Sequence, residues 1–186
     1  MKTLKKGFTL IELLVVIAIL AVLATVIVVI INPAELLRQA RDATRVSDMA
    51  ALNSAVALYL SDVTAPYLNN GTNCAPSTAF CTNSATSTPF NGYLCTVNAT
   101  TTVTGTGWVA VNFTTISSGS PLSRLPLDPS NTAVNQYAYA CNGLSYKLGA
   151  PMESLKYTNA TTGVTRNNYD GGTTASWYEV GNNLAL

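Results

Sequence analysis

Residues 5–33 read KKGFTLIELLVVIAILAVLATVIVVIINP, and the reading of this stretch decides the fold. Phe8–Ile31 is an apolar run of 24 residues with one ionisable side chain, Glu12. As a helix it would be about 36 Å long at 1.5 Å per residue. The hydrocarbon core of a bilayer is about 30 Å thick, so the length suffices to span it. Asn32-Pro33 closes the run, because the residue before a proline is pushed off the helical region. A secretory signal peptide fits poorly, since its apolar region would run about 7–15 residues to a small-x-small site. Here the run is 24 residues long and offers at best Val22-Leu23-Ala24. A plain anchor fits the length, yet an acidic side chain costs about 2.5–3.5 kcal/mol at the centre of a span and by default marks a partner.

Working outward, Ala34 to about Asp62 predicts a second, amphipathic helical stretch. Met49, Leu52, Val56 and Tyr59 recur at spacings of three and four, with Leu36, Ala40, Val46 and Leu60 widening the stripe. Glu35, Arg38, Arg41, Asp42, Arg45 and Asp48 dominate its first half. Arg38–Asp42 and Arg45–Asp48 stand at i,i+4 and i,i+3, where an exposed pair adds about 0.2–0.5 kcal/mol. Two readings of this charge block stand open: a solvated helix face, or a face that pairs with neighbouring subunits. Residues 63–106 are rich in Thr, Ser, Asn and Gly, which favour turns. Trp108–Ile116 predicts a strand, Tyr137–Ala140 and Leu144–Ala150 a hairpin turning at Asn142-Gly143, and Trp177–Val180 a last short strand. The expected class is α+β: a long N-terminal helix packed on a small antiparallel sheet with long loops.

Composition narrows the function. Of the 186 residues 48% are hydrophobic and only 10% charged, against a usual charged share of about 25%. The formal charge of +1 supplies no basic face for nucleic acid. Without Lys2, Lys5 and Lys6, seven basic side chains remain against nine acidic ones. Histidine is absent, which removes the commonest general base and metal ligand, and no phosphate-binding or nucleophile motif is present. These absences argue against an enzyme. Cys74, Cys81, Cys95 and Cys141 all follow the apolar run without zinc-site spacing. They read as two disulfides formed in an oxidising compartment, with four buried thiols as the alternative. Of the three possible pairings, Cys74–Cys81 with Cys95–Cys141 is the preferred one.

Lys5-Lys6-Gly7-Phe8-Thr9-Leu10-Ile11-Glu12 resembles the leader and first residues of type IV pilins and type II secretion pseudopilins. The resemblance implies that a prepilin peptidase cuts after Gly7, that the new amino terminus on Phe8 is N-methylated, and that Glu12 recruits the next subunit into a helical homopolymer. It divides the chain into a leader, 1–7, a transmembrane and filament-core helix, 8–31, its amphipathic continuation, 32–62, and an exported globular domain, 63–186. A neighbour's Phe8 amine facing Glu12 would compensate a charge that is costly to bury alone, and would favour one axial stagger. Leu125-Pro126-Leu127-Asp128-Pro129, followed by Tyr137 and Tyr139, is similar to a stretch of the major pseudopilins.

Two departures from the family accompany the match. Phe8–Ile31 contains no glycine, so any melting of the helix on assembly would move to Ile31-Asn32-Pro33. Major pseudopilins tend to bind calcium through C-terminal acidic residues, where this chain offers only Asp170 and Glu179. A hard cation wants six to eight oxygens. The expectation is therefore no cofactor, with calcium the one candidate. Arg38, Arg41 and Arg45 balance the three leader lysines, so the positive-inside count is tied. The cysteines and Asn98-Ala99-Thr100, a glycosylation acceptor pattern that recurs at Asn70, Asn112 and Asn159, favour an external C-terminal part. The leading expectation is a subunit of a surface filament, made as an inner-membrane precursor, with the peptidase-methylase and an inner-membrane assembly platform as partners. A major pseudopilin of a secretion system and a membrane-anchored adhesion module that never polymerises are the rival readings.

Overall fold

The computed structural model describes residues 7–84, 89–90, 93–158, 170–174 and 177–186. The chain falls into two units, Met1–Leu37 and Arg38–Leu186.

In the first unit, helix α1 spans Leu10–Ile31. Thr9 caps it, and Glu12 reaches back to the Thr9 backbone, so the two close a capping box. Asn32 stops it in the left-handed region, at φ 47°. The next helix, α2, spans Pro33–Asp62 with proline at its first position, where the missing N–H costs nothing. Asn32 starts it, accepting the Glu35 N–H on both its side chain (3.4 Å) and its carbonyl (3.0 Å). One residue thus ends one helix and begins the other, at the place where Asn32-Pro33 predicts the break.

The second unit carries the core. The buried residues of α2 are Asp42, Arg45, Met49, Leu52, Ala55, Val56 and Tyr59. Leaving Ala55 aside, their spacing alternates three and four without a gap, so the stripe is the predicted one but its upper end is charged. Leu36 and Ala40 lie exposed. This stripe packs on a five-stranded sheet of order β2-β1-β3-β4-β5. The strands are β1 Cys74–Cys81, β2 Cys95–Val97, β3 Ala138–Gly143, β4 Ser145–Pro151 and β5 Trp177–Gly181, with a short helix, α3, at Leu155–Thr158. Neighbours pair antiparallel except β1 and β2, which run parallel, so the sheet is mixed. Along β3 side chains alternate between faces. Tyr139 and Cys141 join the cluster under α2, whereas Ala138 and Ala140 face a second one with Phe90 and Trp177.

The predicted hairpin is β3–β4. Its register pairs Asn142 with Ser145, so Gly143 and Leu144 form the turn, one residue later than the Asn-Gly signal. Gly143 takes the required positive φ, 58°. Trp177–Val180 falls in β5 as predicted. Trp108–Ile116 is not a strand. It is an irregular segment ending in a 3₁₀ turn at Phe113–Thr115. Trp108, Val109, Val111 and Phe113 are all fully buried, so neither side of the segment faces water as an alternating strand would require. Its backbone is satisfied by loops: Trp108 N–H to Thr100 O (3.0 Å), Asn70 N–H to Ala110 O (2.7 Å).

The cysteine pairing corrects the expectation. The bonds are Cys74–Cys141 and Cys81–Cys95. Cys74 and Cys81 stand at opposite ends of the eight-residue strand β1, too far apart to bridge. Each pairs instead with an adjacent strand, Cys74 to β3 across 5.8 Å and Cys81 to β2 across 5.5 Å between Cα atoms.

Candidate functional site

Around the N-terminus, Phe8 is 86% exposed and every α1 residue whose side chain is described is exposed. Leu10–Val28 is long and apolar enough to cross a membrane. Each Val, Leu or Ile of such a face gains about 1.5–3 kcal/mol on leaving water, so the helix requires a bilayer or other helices around it. Phe8 and Glu12 share one surface at its tip, and Gly7 precedes them with nothing within 4 Å of where its side chain would be. The Glu12 carboxylate accepts the Thr9 N–H (2.9 Å) and the Thr9 hydroxyl (2.8 Å), while Thr9 Oγ1 accepts the Glu12 N–H (3.3 Å). Phe8, Ile11, Glu12, Val15 and Val16 line one shallow apolar surface. The carboxylate is therefore held at the end of the apolar helix, one turn from Phe8. Met1–Lys6 lie outside the described residues.

The charge block on α2 resolves into a buried network, and neither open reading of it holds for Asp42 and Arg45. Both are fully buried. Arg45 Nη1 donates to Asp42 (2.8 Å), Nε and Nη2 to Asp128 (2.6 and 3.0 Å), and Nη2 to Glu153 (2.5 Å). Arg41 also pairs with Glu153. Asp42 accepts the Glu153 and Ser154 N–H groups (3.0 and 2.8 Å) and the Ser154 hydroxyl (2.6 Å). Asp128 accepts the Ser130 and Asn131 N–H groups (2.8 and 3.1 Å), which shapes the Leu-Pro-Leu-Asp-Pro loop. Asp48 takes the Tyr137 hydroxyl (2.7 Å). The network fixes α2 to that loop and to the segment after β4. Its signal in the sequence was the stripe: Asp42 and Arg45 continue the spacing of Met49, Leu52, Val56 and Tyr59.

At the C-terminal end, Asp170 and Glu179 do meet. Asp170 accepts the Gly172 N–H (2.8 Å) and the Glu179 N–H (2.6 Å), and Glu179 accepts the Thr174 N–H (3.2 Å). Lys147, absent from the sequence reading, already pairs with Glu179. Its Nζ lies 3.1 Å from Glu179 Oε1, with both side chains fully buried. It also donates to Thr173 Oγ1 and Leu184 O, at 3.1 Å each, and sits 4.7 Å from the centre of the Phe90 ring. Glu179 Oε1 receives no aligned hydrogen bond, so its attraction to the ammonium is coulombic. Calcium wants several carboxylates and no cation among them. These residues do not fit it, and among the described residues no three His, Cys, Asp or Glu gather as a metal group. Lys147 and Glu179 become neighbours only through the β4–β5 register, which sets Lys147 opposite Gly181, so sequence alone gave no signal.

Of the acceptor patterns, Asn98 is half-buried, its amide donating to Thr106 O (3.1 Å) and its Oδ1 accepting the Thr100 N–H (3.0 Å). Asn159 lies outside the described residues.

Residues 2–28 match the prokaryotic N-terminal methylation motif, the prepilin-type leader of type IV pilins and pseudopilins. With an apolar N-terminal helix, a second helix and a disulfide-bonded mixed sheet, the fold is α+β and pilin-like. The motif supports a pilin-like or pseudopilin precursor, and points to a structural subunit rather than an enzyme. No curated protein and no solved structure matched the chain.

Proposed function

We propose that this protein is the structural subunit of a type IV pilus-like filament, cut after Gly7, methylated on Phe8 and polymerised through its N-terminal helix into the cell-surface polymer. The observation that carries this reading is the methylation motif at residues 2–28, set on an exposed apolar helix with a single carboxylate at its tip. Leu and Val contacts between spans tolerate a one-turn slip, because one apolar residue replaces another. A Phe8 amine facing a neighbour's Glu12 does not, since a slip strands both charges in a medium of low dielectric. Glu12 thereby sets the axial stagger. The peptidase-methylase, the inner membrane and its assembly platform are the partners this route requires. The resemblance of Leu125–Pro129 to major pseudopilins supports a short secretion-system filament as the second reading.

Intact mass of the assembled protein tests the processing: the expected chain starts at methylated Phe8, and one starting at Met1 or after Ala24 overturns it. Glu12→Ala as the only copy should be processed and inserted normally yet give few or no filaments by electron microscopy. Filaments of normal number and length would refute the stagger argument.

A further inference from the structure

Lysine is almost never fully buried unless it is paired, and Lys147 is fully buried in β4, a strand flanked on both sides. An ammonium has three donors and no acceptor. Around this one stand three oxygens of different kinds, each 3.1 Å from Nζ: the Glu179 carboxylate, the Thr173 hydroxyl and the Leu184 carbonyl. The Phe90 ring offers its face on a further side. A carboxylate, a hydroxyl and a backbone carbonyl converging on one point is the donor set by which proteins hold hard cations. All three come from the last stretch of chain, the 170–174 segment, β5 and the C-terminal tail, and Lys147 reaches them from β4, 26 and 37 residues before Thr173 and Leu184. Gly172 completes the closure, because a Cβ there would overlap the Glu179 carboxylate.

We propose that the Lys147 ammonium is the resident cation of this cradle, taking the place a metal ion would hold and fastening the C-terminal segment without one. Two properties follow. The wild-type segment is indifferent to calcium and to chelators. Removing the ammonium leaves Glu179 Oε1, which accepts no hydrogen bond among the described residues, with unbalanced negative charge beside the Thr173 and Leu184 oxygens, a latent site that an added divalent cation occupies. Neither property depends on whether the chain polymerises.

The test uses the full chain in detergent micelles, with two readouts: the thermal midpoint, and the rate at which carboxypeptidase releases Leu186, which is 95% buried from solvent at 5% exposure. The wild type should give the same midpoint and rate in EDTA and in calcium chloride. Lys147→Met, which keeps the stem and removes the charge, should release Leu186 at least about tenfold faster in EDTA and return toward the wild-type rate in calcium, as ligand binding to the folded state requires. A wild type that loses protection in EDTA or gains it from calcium overturns the proposal. So does Lys147→Met that is as protected as wild type in EDTA, or that calcium fails to rescue. Should that variant not fold, the wild-type comparison and Glu179→Gln decide: the glutamine should release Leu186 faster than wild type, equally in EDTA and calcium, and an unchanged rate overturns the proposal.

Discussion

Arg45 holds Asp42, Asp128 and Glu153 at once from a fully buried position, so its removal strips a shared cation from three carboxylates, while Arg41 still pairs with Glu153. Stripping one partner from a buried pair costs about 3–5 kcal/mol. Arg45→Met, which preserves the packing of the stem, should lower the unfolding free energy by that order in urea titration. Adding Asp128→Leu should recover part of it, since replacing both partners by apolar groups is often close to neutral. The network also sets a pH dependence. Burial pushes the Glu153 carboxyl up, but its bonds to Arg41 and Arg45 outweigh this and hold it below its ordinary value of 4.5. A carboxyl depressed on folding contributes its stability in full above the unfolded value and loses it as pH falls through the folded one. Unfolding free energy should therefore decline below about pH 4.5, and Glu153→Gln should be less stable at neutral pH with a flatter acid decline. Asp48 carries the opposite sign: burial raises it, so its protonation on acidification favours the folded state.

At the scale of elements, the two disulfides differ in what they constrain. Cys74–Cys141 closes a separation of 67 residues and Cys81–Cys95 one of 14. Loop-closure entropy assigns them about 4.4 and about 3 kcal/mol, respectively. The Cys74→Ser/Cys141→Ser pair should thus cost about 1 kcal/mol more than Cys81→Ser/Cys95→Ser in denaturant melts. Iodoacetamide without reductant should label none of the four. The strand that both bonds hold, β1, was hidden from the sequence, as was its short neighbour β2. The β1 residues, CAPSTAFC, include a proline and small polar side chains, and the ladder to β3 shifts register between Cys74 and Thr78. Ser77 there has φ 65°. Proline within a sheet is tolerated at such an irregularity, but nothing local announces one. The two helices, the β3–β4 hairpin and β5 were legible because a 3.6-residue stripe, an Asn-Gly turn and a β-rich run are local signals. The Trp108–Ile116 misreading has a different cause: burial on every side, imposed by distant chain, erases the polar-apolar contrast on which periodicity depends. The Arg45 network lies on the helical stripe, and what local sequence lacks is its partners, Asp128 and Glu153, 83 and 108 residues away. Glu12 stands out in the sequence for the converse reason, as a charge in a run otherwise wholly apolar.

Over the whole molecule, the two units answer to different solvents. Every residue of both core clusters lies within Arg38–Leu186, whereas the apolar run lies in Met1–Leu37. A chain beginning at Arg38 should therefore stay soluble without detergent and keep the near-ultraviolet circular dichroism of Trp108 and Trp177, while the full chain requires detergent or lipid. A detergent-dependent or unfolded truncation would show that the core needs the first unit. The covalent map has a further consequence for a chain that is pulled. Cys81–Cys95 is nested inside Cys74–Cys141, and the outer bond removes a separation of 67 residues from the path along which tension travels. At about 3.4 Å per residue that is about 230 Å of contour length. An oxidised chain under load can extend only the backbone on either side of the bond, and the stretch between its cysteines never feels the force.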